Sequence, residues 1–231
     1  HQVFEGMTVC ASIICSEQGF LYLRGEYLHL YEKLQNILIE RREASLLGAN
    51  ILGQDLNFDI EIRLGLGAYI CGEESALIES LEGKRGIPRN RPPYPVSQGY
   101  LNKPTVVNNV ETFMAAAKIT VAGGQWFADV GIKELALLLK SSISGDCSRP
   151  GIYEYPFGTS ITQVLQDCGA YDVFGVQVGG PSGTFISAQE LDRVLAFEDL
   201  ATGGSFIIFD QSRNILDMVK NFPHFFAHES C

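Results

Sequence analysis

A strand–helix–strand pattern near the start of the chain constrains its fold more than any other feature. Phe20–Arg24 is an aromatic and aliphatic run between two glycines, which is typical of a buried strand, and Phe58–Leu64 alternates apolar and polar residues as a strand does. Between them, Tyr27–Leu46 carries apolar residues at helical spacing beside a charged face. This order predicts a parallel strand pair joined by a helix, and therefore an α/β layer.

The turn that follows the second strand is placed where such a layer binds ligands, because ligands of parallel sheets lie at the C-terminal ends of the strands. Gly65, Gly67 and Gly72 punctuate this turn, and Glu73 and Glu74 follow at the start of a short predicted helix. The spacing differs from the G-x-G-x-x-G fingerprint of dinucleotide-binding turns. The two acids have two interpretations. They complement the helix dipole, or they accept hydrogen bonds from a ribose or a flavin.

A proline-rich arm after this helix, for which no regular structure is predicted, gathers positive charge in an otherwise acidic chain. Its basic residues are Lys84, Arg85, Arg89 and Arg91. One interpretation is a clamp on the phosphates of a dinucleotide. The other is a solvated loop, or ion pairs with Glu79 and Glu82. Tyr94 stands among prolines, where its ring fits an adenine stack and fits packing on the domain beneath equally well.

An Asn-Asn pair opens the next predicted helix, which covers Val110–Val121. Asn109 is placed to cap this helix, and a cap needs only one such residue. Asn108 and Thr112 add an amide and a hydroxyl at the same helix start, which is a position that favours phosphate. Phosphate binding and plain capping are therefore both open interpretations.

The second half of the chain has a different texture, with short β-like runs separated by turn residues. The predicted strands are Leu137–Ile143, Gly151–Tyr155, Val173–Val178 and Ser205–Phe209. One helix interrupts them, with Ser160 and Gln163 as a capping box and Gly169 just past its end. A small sheet that carries one helix predicts a β-grasp domain.

Three domains follow from these patterns. They are an α/β domain over residues 1–136, a β-grasp domain over residues 137–210, and a last segment over residues 211–231 that consists of one helix. The last helix is amphipathic, and Pro223 is expected to kink or restart it. The chain has no initiator methionine, begins inside a helical pattern and stops on a cysteine. We therefore expect it to be a fragment that is truncated at both ends.

Composition excludes several classes of function. The formal net charge of -10 argues against nucleic acid as a partner, because phosphate backbones attract basic surfaces. Apolar runs fall short of the roughly 20 residues that span a bilayer, so no direct membrane insertion is predicted. The six cysteines form no Cys-x-x-Cys pair, which favours free thiols in a reducing cytosol. The P-loop, the nucleophile elbow of hydrolases and the HExxH zinc motif are missing from the sequence.

A metal site is conceivable at the end of the chain. His224, His228 and Cys231 are spaced to share one helix face. Three ligands without a fourth make a weak site, so a cysteine that belongs to a metal cluster is the preferred interpretation of Cys231.

Several motifs taken together resemble one known family. They are YICGEESALIESLEGKRGIPR, RPPYP and KPTVVNNVET in the first half, and SISGDCSRPGIYEYPFGTSITQVL, VQVGGPSG and FEDLATGGSFIIFD in the second. They resemble the NADH-oxidising flavoprotein (diaphorase) subunit of respiratory complex I, NAD-reducing hydrogenases and NAD-dependent formate dehydrogenases, above all the bidirectional hydrogenase form. The ending FFAHESC resembles the entry to that family's Cys-x-x-Cys-x-x-Cys cluster motif. The resemblance extends over essentially the whole chain.

The resemblance implies three cofactors, FMN, NAD(H) and a [4Fe-4S] cluster. By motif, the FMN-lining residues are Tyr69, Gly72, Glu73, Val107, Asn108, Asn109 and Thr112. The residues implied to face the dinucleotide are Glu74, Arg91 and Tyr94, with the Tyr94 ring under the adenine. Cys231 is implied to be the first of four cluster ligands. The family's glycine-rich loop and the three other cluster cysteines are not in this sequence.

The resemblance also implies the fold and the setting. It implies a Rossmann-like FMN domain, a β-grasp soluble-ligand-binding domain and a C-terminal helical bundle. It implies other subunits as partners, namely a small iron–sulfur flavoprotein and a hydrogenase or dehydrogenase module. The expected location is the bacterial cytoplasm, peripheral to a membrane complex in some members. The expected reaction is hydride transfer between NAD(H) and FMN, followed by electron transfer to the cluster. The alternative is a non-catalytic ligand-binding or docking protein that uses its β-grasp domain.

Overall fold

A computed structural model describes residues 1–129 and 138–229 of the chain. The chain divides into two compact units, His1–Val121 with the end from Glu229 onward, and Ala122–His228. The predicted boundary between residues 136 and 137 lies outside the described residues. Both units combine helices with strands, which agrees with the predicted mixed α/β class.

The first unit is built on a two-stranded parallel sheet. Its elements are α1 (Gln2–Ile14), β1 (Gln18–Leu23), α2 (Tyr31–Glu43), β2 (Asp59–Leu64), α3 (Glu74–Leu81), α4 (Pro95–Gln98) and α5 (Val110–Ala122). The strands pair in register from Gln18 opposite Asp59 to Leu23 opposite Leu64. The parallel pair with an intervening helix confirms the strand–helix–strand prediction.

The core of this unit contains residues from both strands and from α1 and α2. Phe4, Leu38 and Ile60 are fully buried in it, and each such side chain contributes about 1.5–3 kcal/mol to folding. Gly6 allows α1 and α5 to approach closely, because a Cβ at this position would lie 1.7 Å from the carbonyl oxygen of Phe113. The same close approach fixes the place of α5 in the unit.

The predicted helix over Tyr27–Leu46 is wrong at both ends. Its first turns form a 3₁₀ segment, Gly25–Leu30, in which Tyr27 leaves helical geometry with φ −104° and ψ 18°. Ser45 adopts a left-handed φ of 56°, which stops the α-helix before Leu46. Local backbone conformation thus makes the helix shorter than its apolar spacing predicts.

The arm after α3 also differs from prediction in one place. Although the sequence predicts no regular structure there, α4 forms a single turn inside the arm, with Pro95 at the first helical position. The other helices of this region, α3 and α5, agree with the predicted spans to within one residue.

The second unit holds a five-stranded mixed sheet. Its elements are α6 (Gly124–Asp129), β3 (Leu138–Gly145), β4 (Gly151–Pro156), α7 (Ile161–Cys168), β5 (Val173–Val178), β6 (Thr184–Ser187), β7 (Ser205–Asp210) and α8 (Ile215–Glu229). The strand order is β4-β3-β7-β5-β6. β3 and β7 are parallel, and the other pairs are antiparallel.

Helix α7 packs on the core of this sheet through one apolar face, which consists of Ile161, Val164, Leu165 and Cys168. The predicted capping box is half correct. Ser160 Oγ accepts from the Gln163 backbone N–H at 3.3 Å, but the Gln163 amide donates to Asp167 instead of turning back. Gly169 ends the helix in a left-handed conformation with φ 65°, as predicted.

One strand of this unit was not predicted, and one prediction for its last helix needs correction. β6 was not predicted, because its four residues are too few to show a repeating pattern. α8 continues through Pro223 as one helix, so a restart there is wrong, and the alternative of a kink stays a prediction. Among the described residues, no helix is both long and apolar enough to cross a membrane.

Candidate functional site

The start of α3 is organised by the carboxylate of Glu73, which caps the helix. Its Oε2 accepts from the backbone N–H groups of Ser75 and Ala76 at 3.0 and 2.9 Å and from the Ser75 hydroxyl at 2.5 Å. A side-chain acceptor is needed here because the first N–H groups of a helix have no partner within the helix. Glu73 therefore caps α3 through Oε2, which agrees with the helix-dipole interpretation and was not predicted as a cap, while its Oε1 accepts from Arg91.

Several hydrogen bonds keep Glu73 ionised. Burial by itself would raise the pKa of its carboxyl group. The Ser75 hydroxyl, the two backbone N–H groups and Arg91 act in the opposite direction, and the pKa is held below its usual value. The site thus keeps a permanent negative charge at the N-terminus of α3, where the helix dipole favours one.

Arg91 brings the arm to this helix start. Its guanidinium donates to Glu73 Oε1 and forms an ion pair with Glu74 Oε1 at 3.0 Å. The guanidinium carbon also lies 6.0 Å from the ring centroid of Tyr94, whose side chain is 54% exposed. We call these four residues, Glu73, Glu74, Arg91 and Tyr94, the N-terminal cluster. The cluster offers an open aromatic face beside a cation and two acids.

A second group of charges lies at the other end of the same helix. It consists of Glu79, Glu82, Lys84 and Arg89, which we call the C-terminal cluster. Arg89 Nε donates to Glu79 at 2.5 Å and its Nη2 donates to Glu82 at 3.0 Å, while Lys84 pairs with Glu82 at 2.6 Å. The ion-pair interpretation of Lys84 and Arg89 is therefore the correct one.

Glu82 is the most deeply buried acid of the C-terminal cluster, with 6% of its side chain exposed. Burial by itself would raise its pKa. Hydrogen bonds from Lys84, from the Leu101 backbone N–H and from Arg89 outweigh this effect and lower the pKa from 4.5 to about 2. Glu82 is consequently ionised at neutral pH.

The third predicted part of the site is the start of α5. Asn109 Oδ1 accepts from the Glu111 N–H at 2.9 Å, which confirms it as a cap. Asn108 and Thr112 are exposed beside it. Among the described residues, no hydrogen bond or ion pair joins these three side chains to the N-terminal cluster. The polar groups of the α5 start therefore remain directed to solvent or to a ligand.

The other predicted site residues lie in the turn before α3 and in the segment before α5. Tyr69 and Gly72 bound a 3₁₀ turn, Tyr69–Gly72, and a Cβ at Gly72 would meet no atom within 4 Å. Val107 is half-buried before α5. Cys231 lies outside the described residues, and the part of the chain that is described contains no group of three or more His, Cys, Asp or Glu residues placed to hold a metal ion.

One residue at the centre of this region was missed by sequence reasoning. Ser75 is almost fully buried, donates its hydroxyl proton to Glu73 and accepts from the Arg89 backbone N–H at 2.9 Å. It therefore connects the two clusters. Its position two residues after an N-cap acid could have indicated the bond to Glu73, but no sequence pattern indicates the bond to Arg89.

Residues 1–118, which include the whole of this site, match a family profile described as the Nuo51 FMN-binding domain. The chain belongs to this family. The match ends within α5 and so covers the parallel sheet, both clusters and the helix start with the paired asparagines. It confirms the predicted resemblance over this part of the chain.

Individual relatives extend the similarity over the whole chain. The chain is 50% identical over 232 residues to the NAD-reducing hydrogenase HoxS subunit alpha of Cupriavidus necator, covering 100% of this chain and 38% of that protein. It is 37% identical over 242 residues to a subunit of the NADH-quinone oxidoreductase of Escherichia coli, covering 100% of this chain and 54% of that protein. The chain thus spans between about two fifths and about half of these relatives.

A solved structure gives the same result for the fold. The chain superposes on a crystal structure of an NAD⁺-reducing [NiFe]-hydrogenase in its H₂-reduced state with a TM-score of 0.91 and 45% sequence identity. The superposition covers 100% of this chain and 39% of that one. Both units described above therefore have counterparts in that hydrogenase chain.

Proposed function

We propose that this chain is part of an NADH:acceptor oxidoreductase (diaphorase) subunit, which transfers a hydride between NAD(H) and FMN and passes electrons to an iron–sulfur cluster. The observation that carries the proposal is the N-terminal cluster, because it places an exposed aromatic ring, a cation and two acids together inside a family of FMN-binding domains. Relatives named for NAD-reducing hydrogenase and NADH-quinone oxidoreductase support the same reaction class.

The residues on both sides of the arm fit a flavin mononucleotide. A phosphate requires N–H and hydroxyl donors, and the start of α5 offers them beside the exposed Asn108 and Thr112. The open space around Gly72 allows a planar ring to approach the backbone. The proposed FMN contacts are Tyr69, Gly72, Glu73, Val107, Asn108, Asn109 and Thr112. A bound flavin supplies hydride acceptance from a nicotinamide and onward transfer of single electrons.

The residues of the arm fit a dinucleotide. Tyr94 exposes its ring for stacking on an adenine, and Arg91 stands beside it with a planar guanidinium suited to phosphate oxygens. Arg91 is occupied by Glu73 and Glu74, so a phosphate must replace a carboxylate as its partner. We expect Glu74 to be released, since Glu73 is held in place by the helix start as well. Freed in this way, Glu74 becomes an acceptor for a hydroxyl of the dinucleotide.

The finer architecture is part of the same proposal. The β4-β3-β7-β5-β6 order, with its central parallel pair and single packed helix, supports a β-grasp domain over residues 137–210. The parallel β1–β2 pair with α2 between them supports a Rossmann-like FMN and NADH domain over residues 1–136. Residues 211–231 are proposed as the start of a helical domain that contains Cys231 as a cluster ligand.

The proposed setting follows from the relatives. Hydrogenase and NADH-quinone oxidoreductase subunits act in multi-subunit assemblies, so we propose further redox subunits as partners, among them a small iron–sulfur flavoprotein. We place the protein in the bacterial cytoplasm. These statements concern the intact protein that contains this chain.

Flavin absorbance of the native full-length protein tests the proposal. We expect a flavin spectrum that bleaches when NADH is added under anaerobic conditions. Arg91→Gln should raise the NADH concentration needed for half-maximal bleaching by roughly tenfold, as expected for loss of about 1.5 kcal/mol from a charge-assisted contact. Lys103→Gln is the matched control, because Lys103 is an exposed cation of the same region outside both clusters. A colourless protein, or one that NADH does not bleach, would favour the non-catalytic docking alternative.

A further inference from the structure

Arg89 makes an unusual set of contacts for a residue of an exposed arm. All three of its guanidinium nitrogens donate: Nε to Glu79 at 2.5 Å, Nη2 to Glu82 at 3.0 Å and Nη1 to the carbonyl oxygen of Gly99 at 3.0 Å. The first two acceptors belong to α3 and its end, and the third belongs to the far end of the arm. One side chain therefore binds α3 to both ends of the segment that runs from residue 89 to residue 99.

Backbone groups strengthen the same closure. The Arg89 N–H donates to the buried Ser75 hydroxyl at 2.9 Å, and the Leu101 N–H donates to Glu82 at 2.8 Å. Gly99 packs so closely on Thr105 that a Cβ at this position would lie 2.4 Å from the Thr105 Cβ. The two ends of this segment, at Arg89 and at residues 99–101, are thus bound to α3. Arg91 and Tyr94 lie between them.

The positive charge of Arg89 is already paired with acids of the protein. Two carboxylates face its guanidinium, and Lys84 is the other cation that faces Glu79 and Glu82. Glu82 is nearly fully buried and stays ionised, so the contact persists across the neutral pH range. A ligand phosphate would have to remove Arg89 from two acids and a carbonyl. Arg89 is therefore placed to hold protein and not to hold ligand.

We propose that Arg89 is a positioning residue for dinucleotide binding, which closes the arm onto α3 and thereby fixes where Arg91 and Tyr94 stand. The inference rests on the proposed function, because it concerns the same dinucleotide. A guanidinium is required for this role, since its rigid fork serves three acceptors in different directions at once. A lysine ammonium at the end of a flexible stem reaches only part of this set.

NAD⁺ binding to the native full-length protein, measured by calorimetry, tests the inference with three variants. Arg89→Gln should weaken NAD⁺ binding by roughly tenfold or more, because it displaces the ring of Tyr94 and the guanidinium of Arg91 that are proposed to contact the dinucleotide. Arg89→Lys should recover part of this loss. Lys84→Gln is the matched control, because Lys84 pairs with the same two acids but does not contact Gly99. It should bind NAD⁺ within about twofold of wild type, because Arg89 keeps both acids and the Gly99 carbonyl as partners when Lys84 is replaced.

A second readout separates positioning from general damage. In Arg89→Gln, the amides of residue 89 and Leu101 should exchange their hydrogens faster, while amides of the β1–β2 core should exchange as in wild type. The KM for NADH should rise with little change in kcat, because flavin contacts at α5 are untouched. If Arg89→Gln loses its flavin or its core protection, Arg89→Lys decides the question by the same two measurements.

The outcomes are distinct. Weakened binding in Arg89→Gln, partial rescue by Arg89→Lys and a silent Lys84→Gln support the inference. Wild-type affinity in Arg89→Gln, or an equal loss in Lys84→Gln, overturns the inference and leaves the proposed function intact. Failure of the wild-type protein itself to bind NAD⁺ overturns the proposed function, and the inference with it.

Discussion

Each end of α3 carries two acids that pair with cations of the arm, yet the two clusters differ in exposure. At the C-terminal cluster, Glu82 is 6% exposed and its cation Arg89 is 24% exposed. At the N-terminal cluster, Glu74 and Arg91 are each about one-third exposed, at 34% and 36%. The N-terminal cluster can therefore exchange partners with a ligand, and the C-terminal cluster cannot do so without unfolding the arm.

The difference shows that cations that are close in the sequence can have different roles. Four cations lie within eight positions of the sequence, but Lys84 and Arg89 are held by Glu79 and Glu82, while Arg91 faces the candidate site. An exposed ion pair contributes about 0–1 kcal/mol to stability, whereas breaking a buried one costs several kcal/mol. We therefore expect loss of an acid of the C-terminal cluster to affect stability, and loss of Arg91 or Tyr94 to affect binding directly. Arg89 differs from the other members of its cluster, since it also binds Gly99 and so affects binding through the position of the arm.

Acid titration should show the largest effect. Because the folded-state pKa of Glu82 is about 2 and its ordinary value is 4.5, its contribution is present above about pH 5 and is lost as the pH falls towards 2. The difference corresponds to up to about 3 kcal/mol. We expect the exchange free energy of the Ile78 amide in α3 to fall over this range, and to fall less in Glu82→Gln. Equal pH profiles for the two proteins would contradict this assignment.

Glu82→Gln at neutral pH should have the second-largest effect on the stability of α3. The substitution leaves Arg89 with one acid fewer in a nearly buried place, at a cost of about 2–3 kcal/mol. The measurement is again hydrogen exchange of the Ile78 amide. Glu74→Gln at the other end of α3 is the matched control, and a loss of the same size there would remove the distinction between the clusters.

Ser75→Ala should have an intermediate effect, because this residue connects the two clusters. The Arg89 N–H loses its buried acceptor and Glu73 loses one of its four donors, which costs about 1–2 kcal/mol. Ser80→Ala serves as the comparison. Ser80 lies on the same helix, and its replacement removes a hydrogen bond to Tyr22 of β1. Faster exchange of the Arg89 amide in the first variant but not in the second is the expected result.

Glu74→Gln should have the smallest effect on stability, below about 1 kcal/mol, since its pair with Arg91 is partly exposed. Raising the salt concentration should weaken this pair further and leave Glu82 unaffected. The measurement is the exchange free energy of the α3 amides in low and high salt. A stability loss comparable to that of Glu82→Gln would show that exposure does not separate the two clusters.

Much of the first unit could be predicted from its sequence. The alternation in Phe58–Leu64 corresponds to burial of Ile60 and Ile62 on one face of β2, which is why the strand and its parallel partner were predicted. The short β6 could not be predicted, because four residues after a glycine-rich turn show too little periodicity. The left-handed conformation of Ser45, which ends α2, likewise has no sequence signal.

The candidate site was less predictable than the fold. The acids and the capping asparagine have local signals, since a helix start selects such residues by itself. Which cation meets which acid depends on how the arm folds back, as the bond between Arg89 and Gly99 shows. The grouping of Arg91 and Tyr94 with Glu74 came from the family resemblance, and the roles of these residues towards a cofactor remain proposals.

The central claim is that the N-terminal cluster receives a dinucleotide, and Tyr94→Ala tests it most directly. In the native full-length protein, the dissociation constant of NAD⁺ should rise roughly tenfold, as stacking on an aromatic ring contributes about 1–3 kcal/mol. The limiting rate of flavin reduction should change little. Tyr27→Ala, which removes another half-exposed tyrosine of the same unit, is the control and should bind NAD⁺ like wild type. An unchanged dissociation constant in Tyr94→Ala would contradict the account.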